Sequence, residues 1–186
     1  MLRRRLRSVL CLTPARRAKY LIEAMGGGVA MIDADGDGKL DLFFVNGAAL
    51  KPGMGAKDRA DKTAARFWNR LYHNNGNGTF TDSTEKAGLR GNGYGQGVAV
   101  GDCDNDGRAD LFVTSLGGNA LYHNQGSGVF EDVTAKAGVA GGGWSTSAGF
   151  IDYDRDGILD LFVVRYLDWD FGRSSRRVIE YLPITA

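Results

Sequence analysis

Three stretches carry the residues whose types and spacing could do chemistry. Asp33 to Asp41 reads DADGDGKLD, Asp102 to Asp110 reads DCDNDGRAD and Asp152 to Asp160 reads DYDRDGILD, all of the form DxDxDGxxD. Four carboxylates within nine residues repel one another, and no basic residue is placed to neutralise them. A hard divalent cation with about six to eight oxygen ligands is the natural counter-charge, and calcium fits best. In the first loop the expected donors are the side chains of Asp33, Asp35, Asp37 and Asp41 and the carbonyl of Lys39. The second loop offers Asp102, Asp104, Asp106, Asp110 and the Arg108 carbonyl; the third offers Asp152, Asp154, Asp156, Asp160 and the Ile158 carbonyl. Gly36 or Gly38 lets the chain fold round the ion. The expectation is about three calcium sites and no catalytic residue.

A single DxDG is an ordinary turn, because aspartate and glycine suit tight turns. Three copies that keep all twelve carboxylates go beyond what a turn needs. An EF-hand would demand a glutamate at the twelfth loop position and a helix on each side. Phe44, Val113 and Val163 stand at that position. The flanks read as strands, with Val29-Ala30-Met31-Ile32 entering the first loop and Leu42-Phe43-Phe44-Val45 leaving it. Each loop is therefore expected to join two strands.

The 186 residues can build one domain with a real core, and 28 glycines against 3 prolines point to many tight turns. No stretch resembles a membrane span. Charge is unevenly divided: residues 1–19 hold seven basic groups and no acid, whereas residues 20–172 hold 13 basic and 21 acidic groups, a net of −8. Twelve of those 21 acids are the loop aspartates, so self-repulsion should burden the metal-free form. Cys11 and Cys103 make no disulfide framework and read as free thiols. His73 and His123 occupy the same place in successive repeats, which reads as packing and not catalysis.

The start, MLRRRLRSVLCLTPARRAK, has the charge of a secretory signal, but its apolar run from Ser8 to Leu12 is too short for one. A nucleic-acid arm would need aromatic or fold-level support that is missing, so residues 1–19 read as a basic tail and nucleic acid is not an expected partner. Beyond it the chain is a repeat. LYHN occurs at Leu71 to Asn74 and Leu121 to Asn124, a separation of 50 that equals the spacing of the second and third loops. NGNGTFTDSTEKAGL and QGSGVFEDVTAKAGV follow, with Gly76/Gly78 and Gly126/Gly128 supplying hairpin turns and Phe80 and Phe130 pointing inward. Four short strands in a unit of about 50 residues is the arithmetic of a propeller blade.

The first unit is longer, and its extra residues fall at Gly47 to about Asn69. Such an insertion is either a binding face or a helical cap in which Phe67 and Trp68 cover an edge. The aromatic positions Tyr94 and Trp144 are expected to pack between neighbouring blades. The run Gly26-Gly27-Gly28 opens a strand and not a helix, so it makes no phosphate cradle.

GVAMIDADGDGKLDLFFVNGA, GVAVGDCDNDGRADLFVTS and LYHNQGSGVFEDVTAKAGV resemble the FG-GAP or VCBS-type repeats of proteins related to cartilage acidic protein, which often end in an ASPIC/UnbV domain. The likeness covers about Tyr20 to Asp170, and no C-terminal segment of the ASPIC/UnbV kind is visible. The resemblance implies blades like those of the integrin α propeller, calcium held in the loops, and an extracellular or periplasmic binding and adhesion module.

The expectation is thus an all-β chain, a partial β-propeller of about two and a half four-stranded repeats. These would run about 26–90, 91–140 and 141–170, the last incomplete, within a repeat region 20–170. Residues 171–186 read as an irregular, foreign or truncated tail. The expected partners are protein or glycan, with self-association through open strand edges. The competing class is a calcium-dependent polysaccharide-degrading enzyme, whose acid or base would come from Lys57, Asp58, Arg59, Asp61 and Lys62 in the insertion.

Overall fold

The alternation of apolar and polar residues around each aspartate loop sets the strand faces. In β1 (Val29–Ile32) Ala30 and Ile32 are buried while Val29 and Met31 look out, the period-two pattern of a strand with one covered face. The computed structural model describes residues 21–51, 54, 58–170, 173–175 and 178–182. The basic segment 1–19, with Cys11, lies outside them, as does Lys57.

The first meander is β1, β2 (Asp41–Phe44), β3 (Arg70–Asn74) and β4 (Phe80–Asp82), paired in that order and antiparallel. The second repeats it as β5 (Tyr94–Gly101), β6 (Asp110–Leu116), β7 (Ala120–Asn124) and β8 (Phe130–Asp132). A one-turn helix follows each, at Thr84–Ala87 and Thr134–Ala137. The third unit opens with β9 (Trp144–Ile151) and β10 (Asp160–Asp170). One residue pair, Leu116 with Trp144, joins the second and third units into one hydrogen-bonded sheet. The chain is all-β, a partial propeller of stacked four-stranded blades.

Within 171–186, expected to be an irregular tail, the described residues 173–175 and 178–182 form strands. β11 (Arg173–Ser175) forms a hairpin with the end of β10, and β12 (Val178–Leu182) pairs with the start of β10. Tyr181 lies opposite Phe162 as Leu121 lies opposite Phe112, so β12 takes the place that LYHN fills in the other blades. The third strand was hidden in the sequence because backbone pairing needs no particular side chains, and VIEYL shares none of the LYHN signature.

Blades stack through their faces. One core cluster joins Ala30, Ile32, Phe43, Val45 and Leu71 of the first blade to Leu111, Val113, Ala120 and Tyr122 of the second. Another joins Ala99, Phe112 and Leu121 of the second to Leu161, Val163, Ala148 and Phe150 of the third. Glycine permits the closest approach between inner strands: a Cβ on Gly28 would lie 2.9 Å from the Val98 nitrogen, and one on Gly97 2.6 Å from the Thr146 carbonyl.

A third cluster gathers Ile22, Ala48, Ala60, Tyr94, Leu116 and Trp144, which places the expected aromatics at the junctions between blades. The insertion lies over it, pinned by the bridge between Ala49 and Asp61. Its end carries a single 3-10 turn, Ala65–Phe67, and no helical cap forms among its described residues.

Candidate metal centre

Each aspartate loop is the connection of a β-hairpin. Ile32 pairs with Asp41, Gly101 with Asp110 and Ile151 with Asp160, so the strands bring the first and last carboxylates together. Two loop positions take left-handed backbone: Gly36 and Gly38 in the first loop, Asn105 and Gly107 in the second, Arg155 and Gly157 in the third. The second of these is glycine every time, as a positive φ favours.

The loop amides turn inward and bind the first aspartate. Asp33 accepts hydrogen bonds from the N–H groups of Gly36 at 2.9 Å, Asp37 at 3.1 Å and Gly38 at 2.9 Å. Asp102 accepts from Asp106 and Gly107, and Asp152 from Asp156 and Gly157. The N–H groups of Lys39, Arg108 and Ile158 donate to Asp37, Asp106 and Asp156, two residues earlier in each loop.

The last aspartate closes each loop from below. Asp41 accepts from the N–H of Ala34 at 3.3 Å and of Asn74 at 2.7 Å; Asp110 accepts from Cys103 at 3.0 Å and Asn124 at 2.8 Å. Both are fully buried. Asp160 accepts from Tyr153 at 3.0 Å but is only half-buried.

The carboxylates converge as the spacing requires. Ligand oxygens of Asp33, Asp35 and Asp37 lie within 4.8 Å of one another, as do those of Asp102, Asp104 and Asp110 and those of Asp152, Asp154 and Asp156. The fourth members, Asp41, Asp106 and Asp160, fall outside these three groups; Asp41 and Asp106 instead join groups that contain a histidine.

Those histidines are a correction to the sequence reading. Neither is mere packing: Nδ1 of His73 stands 3.3 Å from both Asp35 and Asp41, and Nδ1 of His123 stands 3.4 Å from Asp104 and 3.2 Å from Asp110. Side chains alternate along β3 and β7, so the residue after half-buried Tyr72 or buried Tyr122 is carried to the loop side of the strand.

A second correction concerns neutralising charge. Lys39 Nζ lies 2.5 Å from Asp37, and the Arg108 guanidinium pairs with Asp106, because each side chain folds back on the carboxylate two residues before it. The Lys39 ammonium holds the Asp37 carboxyl below the ordinary carboxylate range, and Asp37 raises Lys39 in turn. Ile158 offers the third loop no such partner.

Sequence reasoning missed several residues that hold the frame. Asn69 and Asn119 accept from the N–H groups of Asn46 and Ser115, and Asn74 and Asn124 donate to the carbonyls of Leu40 and Ala109. Asp82 and Asp132 each accept from a threonine two residues on, whose hydroxyl oxygen accepts from Leu71 or Leu121. Their signal was present as asparagine two places before each LYHN and as DxT in TDST and EDVT. Cys103 is a free thiol, buried and donating to Asp110 at 2.9 Å; burial, then Asp110, pushes its pKa up, so it is inert.

Within the insertion Lys62 is buried, donating to the carbonyls of Asn46 at 2.5 Å and Gly93 at 3.4 Å. Burial brings its pKa down to about 7. Asp61 caps the turn at Thr63, accepting from its N–H at 3.0 Å and its hydroxyl at 2.7 Å. Arg90 stacks on Trp68, its guanidinium 4.2 Å from the ring centre. A concavity of about 520 Å³ opens there, lined by Trp68, Arg70, Asp82, Ser83, Glu85 and Lys86 among others.

Stacked four-stranded meanders with an acidic loop between the first two strands of each define a propeller-type repeat protein. The chain belongs to the FG-GAP-like repeat family, whose signature matches residues 33–113 and 102–163. No curated protein matches it.

Proposed function

We propose that this chain is a calcium-stabilised propeller segment that serves as an extracellular or periplasmic binding and adhesion scaffold, not as an enzyme. The observation that carries the reading is the convergence of three carboxylates in each of three loops, all built on the same hairpin. An all-oxygen donor set suits a hard cation, and calcium tolerates the irregular geometry that magnesium does not. Asp33, Asp35, Asp37 and Asp41 would hold the first ion with the Lys39 carbonyl. Asp102, Asp104, Asp106, Asp110 and the Arg108 carbonyl would hold the second, and Asp152, Asp154, Asp156, Asp160 and the Ile158 carbonyl the third. When bound, the ions supply positive charge that pins each loop. At extracellular affinities of about 10⁻⁴ to 10⁻³ M the metal is structural and not a signal.

The partner is a protein or a glycan, and the concavity beside Trp68 offers it an aromatic ring with flanking polar groups. Kinship with the ASPIC/UnbV-related proteins, of which this chain would be a fragment, belongs to the same reading. No helix among the described residues is long and apolar enough to cross a membrane. The enzymatic alternative loses support from the insertion, where Asp61 caps a turn and Lys62 is buried against two carbonyls. Thermal melting tests the scaffold: calcium at 100 times its dissociation constant should add about 2.7 kcal/mol per site, and magnesium far less. A midpoint indifferent to chelator would refute the metal reading. Calcium-dependent cleavage of a uronic-acid polysaccharide would favour the enzyme.

A further inference from the structure

Hydrogen bonds run between the aspartate loops as well as within them. Asn124, 1 % exposed, ties the first loop to the second. Its backbone N–H donates to Asp110 at 2.8 Å, and its Nδ2 donates at 3.2 Å both to the Ala109 carbonyl of the second loop and to the Ala34 carbonyl of the first. Ala34 is held from its other side by Asp41, which accepts from its N–H. The turn after Asn124 is fixed by Gly126, whose N–H donates to Asn124 Oδ1, and it lies against the same first loop. A Cβ on Gly128 would stand 3.6 Å from the Asp35 Cβ.

A separate link joins the second loop to the third. Nδ2 of Asn105 donates to the Gly157 carbonyl at 2.8 Å. The peptide it holds is the one whose other end, the Ile158 N–H, donates to Asp156. Asn105 stands between Asp104 and Asp106 with φ 57°, at the place that Gly36 takes in the first loop. It is exposed where Asn124 is buried, so water competes with this link far more than with the other.

We infer that the three loops are coupled along the blade stack: an ion bound in one tightens binding in its neighbour, through Asn124 between the first and second and through Asn105 between the second and third. The inference rests on the calcium reading and adds to it that the ions bind cooperatively. An ion orders the peptide groups of its loop, and a neighbour already ordered through a shared hydrogen bond spares part of that cost. Repulsion between bound ions opposes the effect and is weakened by salt of about 0.15 M, where the Debye length is about 8 Å. Both asparagines are neutral, so replacing them leaves that repulsion unchanged. The buried Asn124 link carries the larger coupling.

A calcium titration of the isotope-labelled full chain at about 0.15 M salt tests this, with the amide resonances of Gly38, Gly107 and Gly157 each reporting its own loop. Asp104→Ala disables the second loop. It should raise the calcium midpoint at Gly38 about fivefold or more, the low end of ordinary coupling energies, and that at Gly157 by less. Asn105→Gly keeps the left-handed backbone and removes the donor, so it preserves the fold. In that background Asp104→Ala should no longer move the Gly157 midpoint, yet should still move that at Gly38. Asn124→Ala should reverse the pattern; the Asn105 cycle, on an exposed residue, decides the matter even where the buried substitution unfolds the chain. Midpoints at Gly38 and Gly157 that ignore Asp104→Ala, or a Gly157 response that survives Asn105→Gly, would overturn the coupling while leaving the calcium reading intact. No calcium response at any of the three glycines would overturn both.

Discussion

At the residue scale the aspartates of one loop do different work. Asp41 and Asp110 are buried acceptors for two backbone N–H groups each, whereas Asp35 and Asp104 reach the loop surface. Asp41→Ala should therefore lower the melting midpoint even in chelator, at about 1–3 kcal/mol for the unpaired donors. Asp104→Ala should cost stability only when calcium is present, and equal losses in both conditions would contradict this division. Lys62 gives a second test. Its pKa is near 7 in the fold against an unfolded value near 10.5, so between those values the unfolded chain holds more protons. The contribution of Lys62 to stability is lowest below pH 7 and rises toward pH 10.5. Lys62→Met abolishes that titration, so its midpoint advantage over the unmodified chain should shrink from pH 7 to pH 10. A constant difference across that range would show that the ammonium is not desolvated. The four carboxylates per loop were legible in spacing alone; the approach of His73 and His123 was not, because it depends on strand register between distant segments.

At the element scale the three hairpins share a loop but not its surroundings. In the first two blades the LYHN strand lends an amide to the buried aspartate and an imidazole to the loop. β12 replaces LYHN in the third blade. The third loop is also the most exposed. Its affinity for calcium should be about tenfold lower, equivalent to about 1.4 kcal/mol. Terbium luminescence, competed with calcium, should resolve two tighter sites and one weaker, with the weak one lost in Asp154→Ala. Three sites of one affinity would contradict that order. Most of this scale could be read beforehand: strands flanking each loop, glycine hairpins and aromatic blade junctions follow from period-two patterning and turn chemistry. β12 could not, because a strand that pairs through its backbone carries no repeat signature.

At the scale of the whole molecule the architecture rests on repetition. The two interfaces between blades use corresponding positions, and the insertion, which has no counterpart in the second blade, lies over the cluster where Tyr94, Leu116 and Trp144 meet. Repeat period and strand count made the propeller legible, whereas the path of the insertion depended on Lys62 and the Ala49–Asp61 bridge, which no local pattern announces. On the calcium reading the twelve loop aspartates, in a region of net charge −8, exist to hold ions. Isothermal calorimetry of the chelator-treated chain with calcium counts those ions. Binding should saturate at three ions per chain and fall to two in the Asp154→Ala variant. Saturation at fewer than three, or no binding at millimolar calcium, would contradict it.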